Sequence, residues 1–277
     1  MTPTDREPAV AGRFYPGSAA QLEREVDRCL SGARPFDATA AASAFAVMAP
    51  HAGYVFSGAI AGETYARVRV PQRVVVFNPN HTGRGSPRSI WSAGAWHLPG
   101  GAVPVDEPLA VALRDEAQLE DDQRAHLLEH SGEVHLPFLR ALRSDVRMVP
   151  VCLAGLSLSE CQEIGAGVAR AIRRSTTDPR DVLLVASTDM SHFVSADTAR
   201  RLDMLAIERV TGLDPEGLYE VVTRNRISMC GFIPTTVVLI AARELGASEV
   251  ELVRYGNSGE TSGDYDRVVG YAGAIVS

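Results

Sequence analysis

Residues 73–79 read RVVVFNP and residues 181–187 read DVLLVAS, so four and five apolar side chains follow one another without a polar break. Successive side chains of a strand point to opposite faces, so a run of this kind forms a strand only where both faces are covered. AFAVMAP (44–50), VRMVPVCLAG (146–155), VELVRYGN (250–257) and VVGYAGAIVS (268–277) read as further strands. Helical periodicity lies between them. In SLSECQEIGAGVARAIRR, Ser157 and Glu160 have the spacing of a capping box, while Cys161, Ile164, Val168 and Ile172 form one apolar stripe. SAAQLEREVDRCL places Leu22, Val26 and Leu30 on one face, and SADTARRLDMLAIERV and TTVVLIAARELG complete the set. This alternation predicts an α/β fold with a central, mostly parallel or mixed β-sheet flanked by helices. No linker-like stretch divides the chain, so residues 1–277 are expected to form a single domain. The Ala-rich patch DATAAASAFAV (37–47) reads as a loop leading into the first strand.

A net charge of −7 argues against a nucleic-acid partner, because neutralising phosphates requires clustered Lys and Arg. The apolar runs are too short to span a bilayer, so no membrane partner is expected. The first residues, MTPTDREPAVAGRFYPG, lack a basic region followed by an apolar core, which predicts a cytoplasmic protein. Cysteines stand at 29, 152, 161 and 230 without any C-x-x-C pair, as expected of free thiols in a reducing compartment.

Three strands end in polar residues of one kind. AFAVMAP runs into His51, RVVVFNP into Asn80 and His81, and DVLLVAS into Thr188, Asp189, Met190, Ser191 and His192. Ligands of open α/β sheets bind beyond the carboxyl ends of the strands, so parallel, adjacent strands would bring His51, His81 and His192 together. The loop NPNHTGRG is no phosphate cradle: it lacks the Walker spacing and no helical pattern follows it. The glycines of HTGRG and GYVFSG read as turn residues that let the backbone pass close to a site. HLLEH (126–130) matches H-x-x-E-H, a zinc-peptidase pattern when it lies on a helix, but Ser131 and Gly132 break the helix. The segment reads instead as a loop around Glu129, His130, Glu133 and His135 that supports the pocket rim or the side chains behind the site. Cys230 falls just ahead of a helix N-terminus, where the dipole favours thiolate. Cys29, Cys152 and Cys161 fall within helix or strand patterns and read as inert core residues.

REPAVAGRFYPG, PHAGYVFSG, NPNHTG, EHSGEVHLPF, STDMSHF, MCGFIP and YAGAIVS follow one another almost from end to end. In these motifs the chain resembles the Memo family, also called AmmeMemoRadiSam system protein B. That family is similar to the class III extradiol dioxygenases, non-haem iron enzymes of α/β fold. The resemblance implies a metal site at His51, His81 and Cys230, an acid/base role for His192 and a pocket acid at Asp189. Tyr54, Asn80 and His135 are expected to orient ligands or substrate. The dioxygenases use two histidines and a carboxylate, whereas here a thiol stands third, which suits iron(II), copper(I) or zinc. Iron(II) is the first expectation, with copper or zinc as alternatives. The resemblance also implies redox or oxygen chemistry on a small-molecule substrate, and ties the chain to radical-SAM system proteins. A non-catalytic scaffold for a peptide or protein, using the same pocket, is the alternative.

Overall fold

The computed structural model describes residues 5–32 and 41–277. The strands are β1 (Ala46–Ala49), β2 (Arg73–Pro79), β3 (Arg88–Ile90), β4 (Ala95–Leu98), β5 (Gly101–Pro104), β6 (Glu120–Asp121), β7 (Arg147–Leu153), β8 (Val182–Ser187), β9 (His192–Val194), β10 (Val250–Asn257) and β11 (Val268–Val276). The helices are α1 (Ala19–Ser31), α2 (Tyr54–Ala66), α3 (Glu107–Glu116), α4 (Leu136–Leu142), α5 (Leu158–Ser175), α6 (Ala196–Thr211), α7 (Pro215–Asn225), α8 (Phe232–Leu245) and the single turn α9 (Gly259–Ser262).

One mixed sheet runs in the order β10-β11-β1-β8-β2-β7-β3-β6, with β9 added beside β11; β4 and β5 form a separate hairpin. Its middle is parallel: β1 lies beside β8, β8 beside β2 and β2 beside β7, with Val75 level with both Leu184 and Val149. Every residue of β1 and β8 is buried, as is all of β2 and β7 except the first residue of each. This two-sided cover explains why those segments read as unbroken apolar runs. β11 is antiparallel to β1 and β3 is antiparallel to β7, so the sheet is mixed at both flanks. All six strands expected from the sequence are present.

The α5 helix begins at the expected capping box, where the Ser157 hydroxyl accepts the Glu160 N–H and the Glu160 carboxylate accepts the Ser157 N–H. Its stripe Cys161, Ile164, Val168 and Ile172 is fully buried, against α8 and α3. The Ala-rich patch is described only from residue 41, and its residues 37–40 lie outside the described residues.

One expectation is corrected. GYVFSG is not a set of turns: Gly53 caps α2, and Gly58 lies inside that helix. α2 packs on α1 while also touching β1, β10 and β11, so it shows no single apolar stripe. Its glycines serve helix packing. A Cβ on Gly62 would stand 2.5 Å from the Cys29 carbonyl carbon, and one on Gly58 2.9 Å from the Cys29 Sγ. The segment 126–130 forms turns and not a helix, which removes the i, i+4 geometry of a zinc peptidase. No helix among the described residues is long and apolar enough to cross a membrane.

Candidate metal centre

The carboxyl ends of β1, β8 and β2 are neighbours, and His51, Asp189 and His81 each follow two residues beyond them. Cys230 reaches the same place from the other side of the chain, one residue ahead of Gly231, the N-cap of α8. The Gly231 N–H donates to Thr188 Oγ1 at 3.0 Å, and a Cβ on Gly231 would collide with the Ser187 carbonyl and the Thr188 side chain. Glycine there lets α8 press its N-terminus onto the end of β8, which sets Cys230 over the strand ends. The donor atoms of His51, His81 and Cys230 all lie within 4.8 Å of one another, and Cys230 Sγ is 3.3 Å from His51 Nε2. These three side chains could hold a metal ion.

The hydrogen bonds around them fix which ring nitrogens carry lone pairs. The Ser187 hydroxyl donates its one proton to the Ser131 carbonyl at 2.7 Å. Its oxygen therefore acts as acceptor towards His51 Nδ1 at 2.7 Å and His135 Nε2 at 2.8 Å. Burial, followed by the nearby His81, His130, His135 and His192, holds the His51 pKa well below the ordinary histidine value. A neutral ring that donates through Nδ1 keeps its lone pair on Nε2, the atom facing Cys230. His81 is arranged likewise: its Nδ1 meets Glu129 Oε1 at 2.9 Å, and its backbone N–H donates to Glu129 Oε2 at 2.6 Å. Burial works against the Glu129 charge, yet the bonds from His81 and Ser131 outweigh it and hold the carboxyl at about 2. An ionised carboxylate only accepts, so His81 donates through Nδ1 and its Nε2 is left with the lone pair. Carboxylate and hydroxyl partners behind metal-ligating histidines orient the ring in the same way.

The thiol differs from expectation. Burial first, and then the charge of Asp189, push the Cys230 pKa well above the ordinary thiol value. Without a cation Cys230 is a thiol; the helix N-terminus does not make it a thiolate, whereas a bound cation would. Asp189 is itself raised to about 6 by burial, although the His51 N–H donates to its Oδ1 at 2.8 Å. The Asp189 N–H points at Cys230 Sγ from 3.3 Å.

The other expected residues lie around this group in different ways. His192 does not join the converging donors; it sits on β9, its Nδ1 donating to the Ser228 carbonyl at 2.8 Å, and its Nε2 meets no partner among the described residues. His135 touches the group only through Ser187, and its Nδ1 meets the Tyr65 hydroxyl at 2.9 Å. The Tyr54 hydroxyl donates to the Val134 carbonyl at 2.6 Å, so it steadies the loop before α4. The Asn80 Oδ1 accepts the Gly83 N–H at 2.9 Å, and its Nδ2 donates to the Arg84 carbonyl at 2.7 Å, closing the turn that carries His81. Gly83 and Gly85 leave that turn with φ of 64° and 72°. Sequence reasoning missed Ser187 and placed Glu129 and His130 no more closely than in a loop that supports the pocket. Ser187 looked like a strand end, although it is the hydroxyl that closes an otherwise apolar run. Glu129 and His130 were expected in a supporting loop, and Glu129 indeed stands behind the His81 ring.

Replacing Ser187 with alanine is expected to strand two buried N–H donors, at roughly 1–3 kcal/mol each where the rings cannot turn. The variant should unfold at lower urea and bind metal about 10–100-fold more weakly, the usual loss when a ligand's supporting partner goes. Unchanged urea and metal titrations would contradict the tautomer assignment.

A family model described as Memo-like protein matches residues 6–275. A MEMO1 family protein of Methanopyrus kandleri is 41% identical over 281 residues, covering 98% of this chain and 98% of its own. A MEMO1 family protein of Aquifex aeolicus is 39% identical over 271 residues, again covering 98% of both chains. Among solved structures, an uncharacterized protein from Escherichia coli K12 superposes with a TM-score of 0.54 at 17% identity, over 82% of this chain and 98% of that one. That last similarity is one of fold.

Proposed function

This chain belongs to the Memo-like protein family, and from that premise we propose that it is a metalloprotein whose His51, His81 and Cys230 hold iron(II), with copper or zinc as alternatives, and that with iron or copper it carries out redox chemistry on a small molecule. The observation that carries this reading is the convergence of the three donors, with two imidazole lone pairs fixed by Ser187 and Glu129. A bound iron or copper ion would supply the redox chemistry, and three protein ligands leave positions for a small molecule or dioxygen. The chain's own residues supply the rest. His192 holds a proton on Nδ1 against the Ser228 carbonyl, so its Nε2 is free to take one from a bound molecule or return it. Asp189, poised at about 6 and anchored by the His51 N–H, holds His51 in place and can carry a proton near neutral pH. The whole chain acts as one unit in the cytoplasm, with the radical-SAM system proteins implied by the family's name as candidate partners.

A second reading has an observation of its own. Val55, Phe56, Leu127, Leu128 and Phe193 are exposed large apolar residues, each within two positions of Tyr54, Glu129 or His192. Exposed apolar side chains next in sequence to a polar site suit a peptide or protein partner, which would make the chain a scaffold.

Anaerobic purification with metal analysis, followed by oxygen uptake with catechols and aminophenols, separates the two. The first reading expects about one redox-active ion per chain and oxygen consumption with at least one substrate of that class. Metal-free, oxygen-inert protein that still captures a partner would leave the scaffold reading standing alone.

A further inference from the structure

We propose that His81, Glu129 and His130 form a second metal position, which shares His81 with the first and takes a borderline or hard divalent ion such as iron(II), manganese(II) or zinc. It extends the reading above, but neither His51 nor Cys230 takes part. Their donor atoms also lie within 4.8 Å of one another. Glu129 Oε1 stands 2.9 Å from His81 Nδ1 and 3.3 Å from His130 Nδ1, so both ring nitrogens lie within reach of one carboxylate oxygen. The two rings stack at 4.8 Å, and Phe14 packs on His130 at 4.6 Å. The Glu129 side chain is 1% exposed, while His81 and His130 are 33% and 22% exposed, which leaves an approach from solvent.

The two donor sets differ in chemistry. A thiolate with two imidazoles extends the preference from iron(II) towards softer ions such as copper(I), whereas two imidazoles with one carboxylate form the harder donor set of non-haem iron(II) sites. Seating an ion at the second position requires the proton on His81 Nδ1 to leave, and the solvent-accessible ring can carry it on Nε2 instead. Glu129 Oε1 then gives up the His81 proton for the ion, while the Ser131 N–H and hydroxyl still donate to it at 3.0 and 2.7 Å. A neutral imidazole has one lone pair, so His81 serves one position at a time and the chain holds one ion. A metal could thus pass between a soft and a hard site by a tautomer change at a single shared residue.

Cobalt(II) titration of metal-stripped protein tests this, read by bound metal per chain and by the thiolate-to-cobalt absorption band. The wild-type chain and the variant His51→Ala/Cys230→Ala should each bind about one equivalent, and the variant should lack the thiolate band. Adding His130→Gln to that variant should weaken cobalt binding at least about tenfold, and adding Glu129→Gln should do the same. If the double variant does not fold, Cys230→Ala alone serves as background for the same two additions. Two equivalents in the wild type, no binding in the background variant, or affinities that change by less than about twofold on both additions would each overturn the proposal. A wild-type chain that binds cobalt without a thiolate band would instead contradict the His51, His81, Cys230 reading and leave this comparison intact.

Discussion

Arg6→Ala is expected to lower the free energy of unfolding by about 3–5 kcal/mol in urea titrations, the usual cost of removing one partner of a buried ion pair. The Arg6 and Glu133 side chains are 1% and 0% exposed, and Arg6 Nη1 meets Glu133 Oε2 at 2.6 Å. Arg6 Nε donates to the His126 carbonyl at 2.8 Å and Nη2 to the Glu129 carbonyl at 2.7 Å, while the guanidinium lies 4.0 Å over the Trp96 ring. Glu133 in turn accepts the Ala9 and Val10 N–H groups and the Tyr15 hydroxyl. Burial and the Glu133 charge raise the Tyr15 pKa far above its ordinary value, so the phenol stays a donor. Without Arg6, the carboxylate would remain buried with neutral donors alone. Lysine is expected to rescue little, because one ammonium on a flexible stem does not reproduce a planar fork reaching three acceptors. The loss should extend to the centre, since the carbonyls that Arg6 holds belong to the segment carrying Glu129 and His130. Metal affinity is therefore expected to fall along with stability. A loss below about 1 kcal/mol would place this pair with ordinary surface ion pairs.

The sheet was legible because two-sided burial leaves unbroken apolar runs, and the convergence of His51 and His81 was legible because each follows its strand by two residues. The pattern placed Cys230 only ahead of a helix N-terminus; that it stands with the two histidines came from the resemblance. Other features left no local trace. Arg6 and Glu133 are 127 positions apart, and nothing near either names its partner. The α2 helix was hidden because contact with α1 on one side and the sheet on the other erases its stripe. The state of Cys230 was misjudged on magnitude. A helix N-terminus is worth roughly 0.3–1 kcal/mol to an anion at an exposed site. Desolvation shifts the pKa of a fully buried group by up to about 3–5 units, at about 1.4 kcal/mol per unit. Cys230 is only partly buried, but the Asp189 charge beside it acts in the same direction, and together they prevail. Sequence displays position along an element, whereas desolvation depends on what the rest of the chain packs around it.

That same balance shapes what Cys230→Ser should do. Four-ligand zinc sites bind with apparent free energies of roughly 10–16 kcal/mol, or about 2.5–4 kcal/mol per ligand. Replacing the thiol with a hydroxyl, a poor ligand for a soft ion, is therefore expected to weaken copper(I) binding by about 100- to 1,000-fold. Copper(I) is the informative probe because a carboxylate-containing set serves it poorly, so His81, Glu129 and His130 would not mask the loss. The pH dependence should change as well. Burial raises the Cys230 pKa, so binding must expel the thiol proton, whereas His51 is already neutral and releases none near pH 7. Each unit of rising pH makes that proton easier to lose, so wild-type affinity should climb about tenfold per unit through the neutral range. The slope persists there because the folded thiol pKa lies above it. In Cys230→Ser no proton need leave the third ligand, and the climb should be about one decade per pH unit shallower than in the wild type. Competition titrations against a copper(I) chelator at several pH values measure both effects. Equal affinities and equal slopes in the two proteins would remove Cys230 from the centre.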